Sequence, residues 1–539
     1  MRNTDSKTST GARVKAVSNW RNLRRVVQES GGYNLPRRLP SKEVLASALK
    51  ECVEEGVRVG GKEWREKKRE CAAKASAFLF RKIIKKERDE LKEGVVREEE
   101  QYLQRMSSAH SHVCGEDCEW KAAVASEVDR LFRYDWDSKY WDYAAEGRTG
   151  TSACTENPKK EGGMVGFVRE KEWEEWSRGY AGEGKEFEEY LEEARSGREE
   201  RKVRVLTDDG KYRIVTISSG RQRWLEPLHN LMYDHLARFP WLVRGDVGPG
   251  QLKRMVEGEG DFVSGDYEAA TDNFCPEHSR WLMERIARRC SRVPEGILAL
   301  AEARFTGGIL VGSSGSVERK RGQLMGDLLS FPFLCLVNYL TAYAALGAER
   351  SLLINGDDIA FRACSERRQR WEQWVEKGGL TLSKGKTLVS RWMFSLNSRF
   401  WVVRKKKSGM SELPVLRPKT LYKDQGRGLW ARWEECVRMG ATMEKRAKIS
   451  RHFLEVNGWA KKKRGRSTDE LASESCEDGE GGRERGGNSE EEPGGRGGDN
   501  GEKEGRGSGV GGVEVSSSDE VEESAEGDKK LRTLGDGSE

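Results

Sequence analysis

The rhythm of apolar and polar positions changes near residue 200. Before about residue 125, apolar residues are sparse and set in long charged stretches that predict helices. Lys62 to Lys92 reads as one long polar helix around Phe78, Leu79, Phe80, Ile83 and Ile84. From Val203 the period shortens to two. Val203-Arg204-Val205 and Tyr212 to Ile217 alternate as strands do, with Asp208-Asp209-Gly210 as the turn between them. Asp261 to Gly265 predicts a short strand and Ser279 to Cys290 a helix. Leu352–Ile354 and Ile359–Phe361 are two short apolar strands around a tight polar turn. Leu328 to Ala348 carries no charge and is long enough to cross a bilayer. Its Pro332, Asn338, Tyr339, Thr341 and Tyr343 favour a buried core helix instead. Helices mixed with short antiparallel strands, and no internal repeat, predict an α+β fold.

Composition sharpens this picture. A chain of 539 residues has room for three or four lobes at roughly 150 residues each. With 36% hydrophobic and 35% charged residues, a chain-wide membrane protein, a collagen-like chain and a uniformly disordered one are excluded. The net charge of +6 conceals an asymmetry. Residues 465–539 hold 22 Asp/Glu against 9 Lys/Arg, with 19 Gly and no aromatic residue. Such a segment cannot bury enough apolar surface to offset its chain entropy and predicts a disordered tail. The preceding 464 residues hold 87 Lys/Arg against 68 Asp/Glu, a balance suited to a polyanionic partner. Arg2, Lys7, Arg13, Lys15, Arg21, Arg24 and Arg25 face only Asp5 before Glu29. That stretch suits an RNA-contacting arm, a mitochondrial targeting peptide or a solvated basic helix face. Scattered cysteines and an opening without a signal peptide point to a reducing compartment.

The chemistry gathers in a few short runs. Asn355-Gly356-Asp357-Asp358 sits between the two apolar strands, so a tight turn presents two adjacent carboxylates. Alone, such a run is a common hairpin. Asp266 ends the Asp261–Gly265 strand, and Asp272 follows a small-residue turn where it or Thr271 can cap a helix. A carboxylate at a strand end beside others at a hairpin tip can hold two Mg²⁺ ions for in-line phosphoryl transfer. Arg321-Gly322-Gln323-Leu324-Met325-Gly326-Asp327, followed by Ser330, is a glycine loop before a helix, where backbone can approach a ligand. Lys202, Arg204, Lys211 and Arg213 lie on the alternating strands, and Lys211 and Arg213 share a face. In Lys384-Gly385-Lys386 a lysine could protonate a pyrophosphate leaving group, although solvated surface charge is the ordinary fate of lysine. His110, His112, Cys114 and Cys118 fall within nine residues and could bind zinc, or simply be reduced cysteines and surface histidines.

In their order, these elements resemble the viral RNA-dependent RNA polymerases, matching that family's motifs F, A, B, C and D. Ser395 to Phe400 stands where motif E would follow. The Asp266–Phe274 and Gly322–Asn338 segments look closest to the ourmia-like (botourmia) viruses, relatives of the narnaviruses and mitoviruses. The resemblance covers about residues 200–400. It implies a right-hand polymerase: a basic helical region at 1–125, fingers with the motif F strands at 126–260, a palm with an inserted fingers segment and motifs A to E at 261–400, a thumb at 401–464, and the tail. Asp266, Asp357 and Asp358 would be the metal carboxylates for two Mg²⁺ ions, with Mn²⁺ possible. Asp272 would sense the ribose 2′-hydroxyl, Lys386 would be the general acid, and Lys211, Arg213, Gly322 and Ser330 would attend the nucleotide. The chain departs from the family where many members carry Thr and Asn in motif B; here those offsets hold Gly326 and Ser330.

The implied partners are RNA template and product and nucleoside triphosphates, in the host cytoplasm or the mitochondrion, with no transmembrane segment and no protein partner inferable. A catalytically silent RNA-binding descendant of such an enzyme is the alternative; intact Asp266, Asp357, Asp358 and Lys386 argue against decay. The Gly-Asp-Asp turn and Asp272 argue against a reverse transcriptase, whose relatives carry a bulky residue at the sensor position. No Gly-x-x-x-x-Gly-Lys-Ser/Thr phosphate loop is present.

Overall fold

The computed structural model describes residues 5–457, apart from 57–59, 81–87, 111–113, 116, 148–149, 209–210, 384–385, 405–408, 419–420, 422–428, 439 and 441. The acidic tail, His112, the Asp209-Gly210 turn, Lys384 and Gly385 therefore lie outside the described residues, as does the side chain of Lys211.

The charged N-terminal stretches form helices at Asp5–Gly31, Lys42–Glu54, Gly61–Phe80, Arg88–Ser107 and Glu119–Leu131. Of the single helix expected over 62–92, residues 62–80 lie in the Gly61–Phe80 helix and 88–92 in the Arg88–Ser107 helix, with 81–87 outside the described residues. Trp20, Leu23 and Val27, spaced for one helix face, pack with Phe80 against Ile449 and Phe453 of the Met443–Val456 helix. The two ends of the described chain thus share one core. Leu49 and Leu79 pack instead on Trp392, Phe400 and Val402. Cys52 and Cys71 join two of these helices as a disulfide with Cα atoms 6.0 Å apart, a pairing the scattered cysteines do not predict.

Three sheets follow. In the first, strands lie in the order β2-β1-β4-β5, where β1 is Glu200–Asp208, β2 Lys211–Ile217, β4 Ile309–Val311 and β5 Ser316–Glu318. Tyr102, Leu103 and Met106 of the Arg88–Ser107 helix cover one face of it, against Val203 and Leu310. The second has the order β6-β7-β3-β8, with β3 Asp261–Gly265, β6 Leu353–Asn355, β7 Asp358–Ala363 and β8 Leu388–Ser390. The third is β11-β10-β9, built from Met410–Glu412, Arg399–Val403 and Met393–Leu396.

The second sheet is buried on both faces, which is why its strands read as continuous apolar runs. Val263, Ile354, Ile359 and Phe361 enter the main core. Phe262, Leu353 and Ala360 enter another core with Phe394 and Trp401 of the third sheet. The uncharged stretch forms the Ser330–Leu346 helix, with Phe333, Leu336 and Leu340 fully buried in the main core. Each such side chain contributes about 1.5–3 kcal/mol by leaving water. No helix among the described residues is long and apolar enough to cross a membrane.

Candidate active site

Strand register brings the expected carboxylates together. The last ladder pair between β3 and β7 is Gly265 with Ile359. Asp266 follows Gly265 and Asp358 precedes Ile359, so the two stand at the same end of that ladder with the parity of one face. That face is the one Phe262 and Ala360 share with the third sheet. Asp357 is exposed at the tip of the β6–β7 hairpin. Gly356 turns the chain there with φ of 62°, and a Cβ on it would meet the Phe331 ring at 3.0 Å. Lys386 Nζ lies 3.1 Å from Asp266 Oδ2. It is delivered by a turn whose Ser383 N–H donates to the Asp266 carbonyl at 2.9 Å. The Asn397 N–H donates to Asp358 Oδ2 at 3.1 Å. Asn397 and Ser398 have φ of 53° and 58°, so the tight turn joining β9 to β10 is what offers that N–H.

The Ser330–Leu346 helix ties both carboxylate-bearing elements to one amide. Asn338 donates from Nδ2 to the Gly356 carbonyl at 2.9 Å, and its Oδ1 accepts from the Tyr267 hydroxyl at 2.8 Å. Asn338 is fully buried. In the sequence it counted only as a polar residue disfavouring a membrane span. A buried amide requires partners, and here the partners are the turn before Asp357 and the residue after Asp266.

Asp272 is not the cap of a helix. Thr271–Asn273 makes a single 3₁₀ turn, and the Pro276–Ala287 helix begins after Cys275. The Asp272 carboxylate instead pairs with Arg105 Nη2 at 2.7 Å. Burial pushes this carboxyl above its usual range, while Arg105 and Arg321 pull it back. Gly322, with φ of 70°, lies against the same turn: a Cβ on it would stand 2.7 Å from the Asp272 carbonyl oxygen. The close approach this glycine permits is therefore to the Asp272 backbone. Gln323 N–H donates to the Thr271 carbonyl at 2.7 Å, completing the docking. Ser330 is buried, and its hydroxyl donates to the Leu324 carbonyl at 2.7 Å.

The β1–β2 register places Lys202, Arg204 and Arg213 on one face, while the side chain of Lys211 lies outside the described residues. Arg204 and Arg213 are exposed there, and Lys202 Nζ donates to the Thr155 carbonyl at 3.0 Å. β2 is joined to the glycine loop by the Thr216 N–H, which donates to the Met325 carbonyl at 2.8 Å. Below that junction lies an ion network that the sequence reading missed. Arg304 Nη2 meets Asp327 Oδ1 at 2.6 Å and also pairs with Glu199, while Arg201 Nη2 meets Glu199 Oε2 at 2.8 Å. Burial pushes the Asp327 carboxyl up, but Arg304, Arg201 and Arg319 hold it below its usual range.

Of the residues considered for zinc, the His110 imidazole lies 2.8 Å from the Asn273 carbonyl and His112 is outside the described residues. Cys114 and Cys118 meet Cys275 and His278 instead. The carriers missed from sequence, Arg105, Asn338 and Asp327, were signalled only by their type: an arginine, an amide and a carboxylate in stretches otherwise read as helix face, core or loop.

No family model matches the chain. It is similar to the RNA-dependent RNA polymerase of Ourmia melon virus (isolate Melon/Iran/VE9), with 31% identity over 253 residues. The match covers 42% of this chain, and the chain spans 29% of the length of that curated relative.

Proposed function

We propose that the chain is an RNA-directed RNA polymerase that replicates a viral RNA genome by adding nucleoside triphosphates to an RNA 3′ end. The observation that carries this reading is the β3–β7 ladder, which ends at Gly265 with Ile359 and so leaves Asp266 and Asp358 at the same end of the sheet, with Asp357 exposed at the adjoining turn. Likeness to the Ourmia melon virus polymerase supports it. In this reading the second sheet is the palm, residues 126–260 belong to the fingers and residues 401–464 to the thumb. Kinship with the narnaviruses and mitoviruses belongs to the same reading.

Three carboxylates converging on one sheet edge suit hard divalent cations, which take oxygen ligands. Asp266 already holds the Lys386 ammonium at 3.1 Å. Asp266, Asp357 and Asp358 are therefore the residues that would hold two Mg²⁺ ions, or Mn²⁺. Bound there, such ions supply Lewis-acid stabilisation of the attacking 3′-hydroxyl and the leaving pyrophosphate. The chain's own part is to orient and to move protons. Lys386 and Asp266 are 50% and 32% exposed, so their pair contributes under about 1 kcal/mol. Lys386 can thus turn from Asp266 to a leaving phosphate and protonate it. Asp272, fixed by Arg105, is the acceptor for the ribose 2′-hydroxyl. Arg204 and Arg213 on the outer face of β1–β2, with Lys211 at the start of β2, attract the triphosphate and the RNA backbone.

The test is primer extension by purified full-length protein on an RNA template, with each nucleotide type and with Mg²⁺ against Mn²⁺. Template-directed incorporation of ribonucleotides is expected. Tight RNA binding with no incorporation under any of these conditions would leave a silent RNA-binding protein in its place.

A further inference from the structure

We propose that Cys114, Cys118, Cys275 and His278 form a structural zinc site, which staples the segment after the Arg88–Ser107 helix to the segment after Asp272. One ligand atom each from Cys114, Cys275 and His278 lie within 4.8 Å of one another. Cys118 Sγ stands 3.2 Å from His278 Nε2. Around a tetrahedral zinc, with Zn–S of about 2.3 Å and Zn–N of about 2.0 Å, ligand atoms sit roughly 3.5–3.8 Å apart. Cys114, Cys275 and His278 would close from at most 4.8 Å to that spacing, and Cys118 would join them as the fourth ligand from the His278 side.

The spacing has the form such sites take. Two local pairs, Cys114-x-x-x-Cys118 and Cys275-x-x-His278, each supply two ligands, and the fold joins them across a long stretch of chain. Cys118 and Cys275 each stand at the N-cap of a helix, Glu119–Leu131 and Pro276–Ala287, so both are held at the rigid start of an element. The His278 ring is oriented by stacking on Trp120, with centroids 4.3 Å apart and planes at 22°. Trp120 is fixed in turn by donating from Nε1 to Thr341 Oγ1 at 3.1 Å.

Three thiolates, a neutral imidazole and Zn²⁺ carry a net single negative charge. Lys121, whose positive charge acts on Cys114, would offset it. On binding, three thiol protons leave to solvent, including the one Cys275 now shares with Glu277 at 3.1 Å. Thiolate and imidazole ligands select zinc over magnesium, so this site is chemically separate from the carboxylate edge. It does not depend on the polymerase reading. Its consequence is positional. Arg105 and His110, on the way into Cys114, contact Asp272 and the Asn273 carbonyl, while Cys275 follows Asp272 by three residues. The staple fixes both partners of the Arg105–Asp272 pair.

The experiment is elemental analysis of full-length protein after dialysis against EDTA, paired with Co²⁺ exchange on the same preparation. About one tightly held zinc per chain is expected. Co²⁺ should give thiolate charge-transfer absorption and the intense visible bands of a tetrahedral centre. Cys275→Ser and His278→Gln should each lose the metal, and His110→Gln should keep it. If those variants fail to fold, a mercurial titration of the wild-type protein decides, because zinc should leave in step with three modified thiols. A zinc-free wild-type protein that takes up no Co²⁺, cobalt bands without thiolate absorption, or zinc release unlinked to thiol modification would each overturn the site.

Discussion

Two clusters of charge in this protein differ in the company their charges keep. At the edge of the second sheet, Asp357 is exposed and Asp266 pairs with a half-exposed lysine. Beneath the first sheet, Glu199, Arg201, Arg304 and Asp327 are all under a tenth exposed and satisfy one another. An exposed pair is worth about 0–1 kcal/mol and exchanges partners easily. Removing one member of a buried set costs about 3–5 kcal/mol, because the remaining charge keeps its desolvation penalty. The first cluster can therefore exchange partners, as the proposed reading requires, and the second holds the glycine loop and the basic strands in register. Charge density alone does not separate chemistry from scaffold; burial and partner geometry do.

The largest stability effect should come from the second cluster. Arg304→Met leaves Glu199 and Asp327 buried without the guanidinium they share, and should cost about 3–5 kcal/mol in urea unfolding. A variant of wild-type stability would erase the distinction between the clusters. Asn338→Ala removes the amide that serves Gly356 and Tyr267, and should cost about 1–3 kcal/mol while slowing extension. Slower extension without lost stability, or the reverse, would show that the amide does only one of these two jobs. Smallest in stability is the double change Arg204→Ala with Arg213→Ala, expected within about 0.5 kcal/mol of wild type. Its effect should appear in RNA binding instead, as a salt dependence shallower by up to about two phosphate contacts. An unchanged salt slope would remove that face from the RNA path.

The carboxylate edge was legible in the sequence because its parts are local. A glycine turn between two apolar strands and an acid at a strand end each declare themselves within a few residues, and the α+β pattern follows from the same periodicities. The helix expected from Ser279 to Cys290 runs instead from Pro276 to Ala287, with proline at its first position as the start signal that was passed over. Asp272 read as a cap because an acid near a helix start usually is one; Arg105, 167 residues earlier in the chain, claims it instead. The buried network, and the joining of Cys114 and Cys118 to Cys275 and His278 in place of His110 and His112, were not legible for the same reason. Their members are scattered between residues 114 and 327 and meet only through tertiary packing, so no window of sequence contains a whole site.

The proposed nucleotidyl transfer rests on Asp266, Asp357 and Asp358, of which Asp357 is the exposed one. Asp357→Asn keeps the shape and hydrogen-bonding capacity of the side chain and removes one negative charge from the sheet edge. Extension rate and RNA affinity should be measured on the same protein, with its unfolding transition as the control. The expected result is extension reduced by several orders of magnitude, each tenfold corresponding to about 1.4 kcal/mol in the barrier, with RNA affinity and unfolding unchanged. Near-normal extension by the folded Asp357→Asn protein would contradict the account.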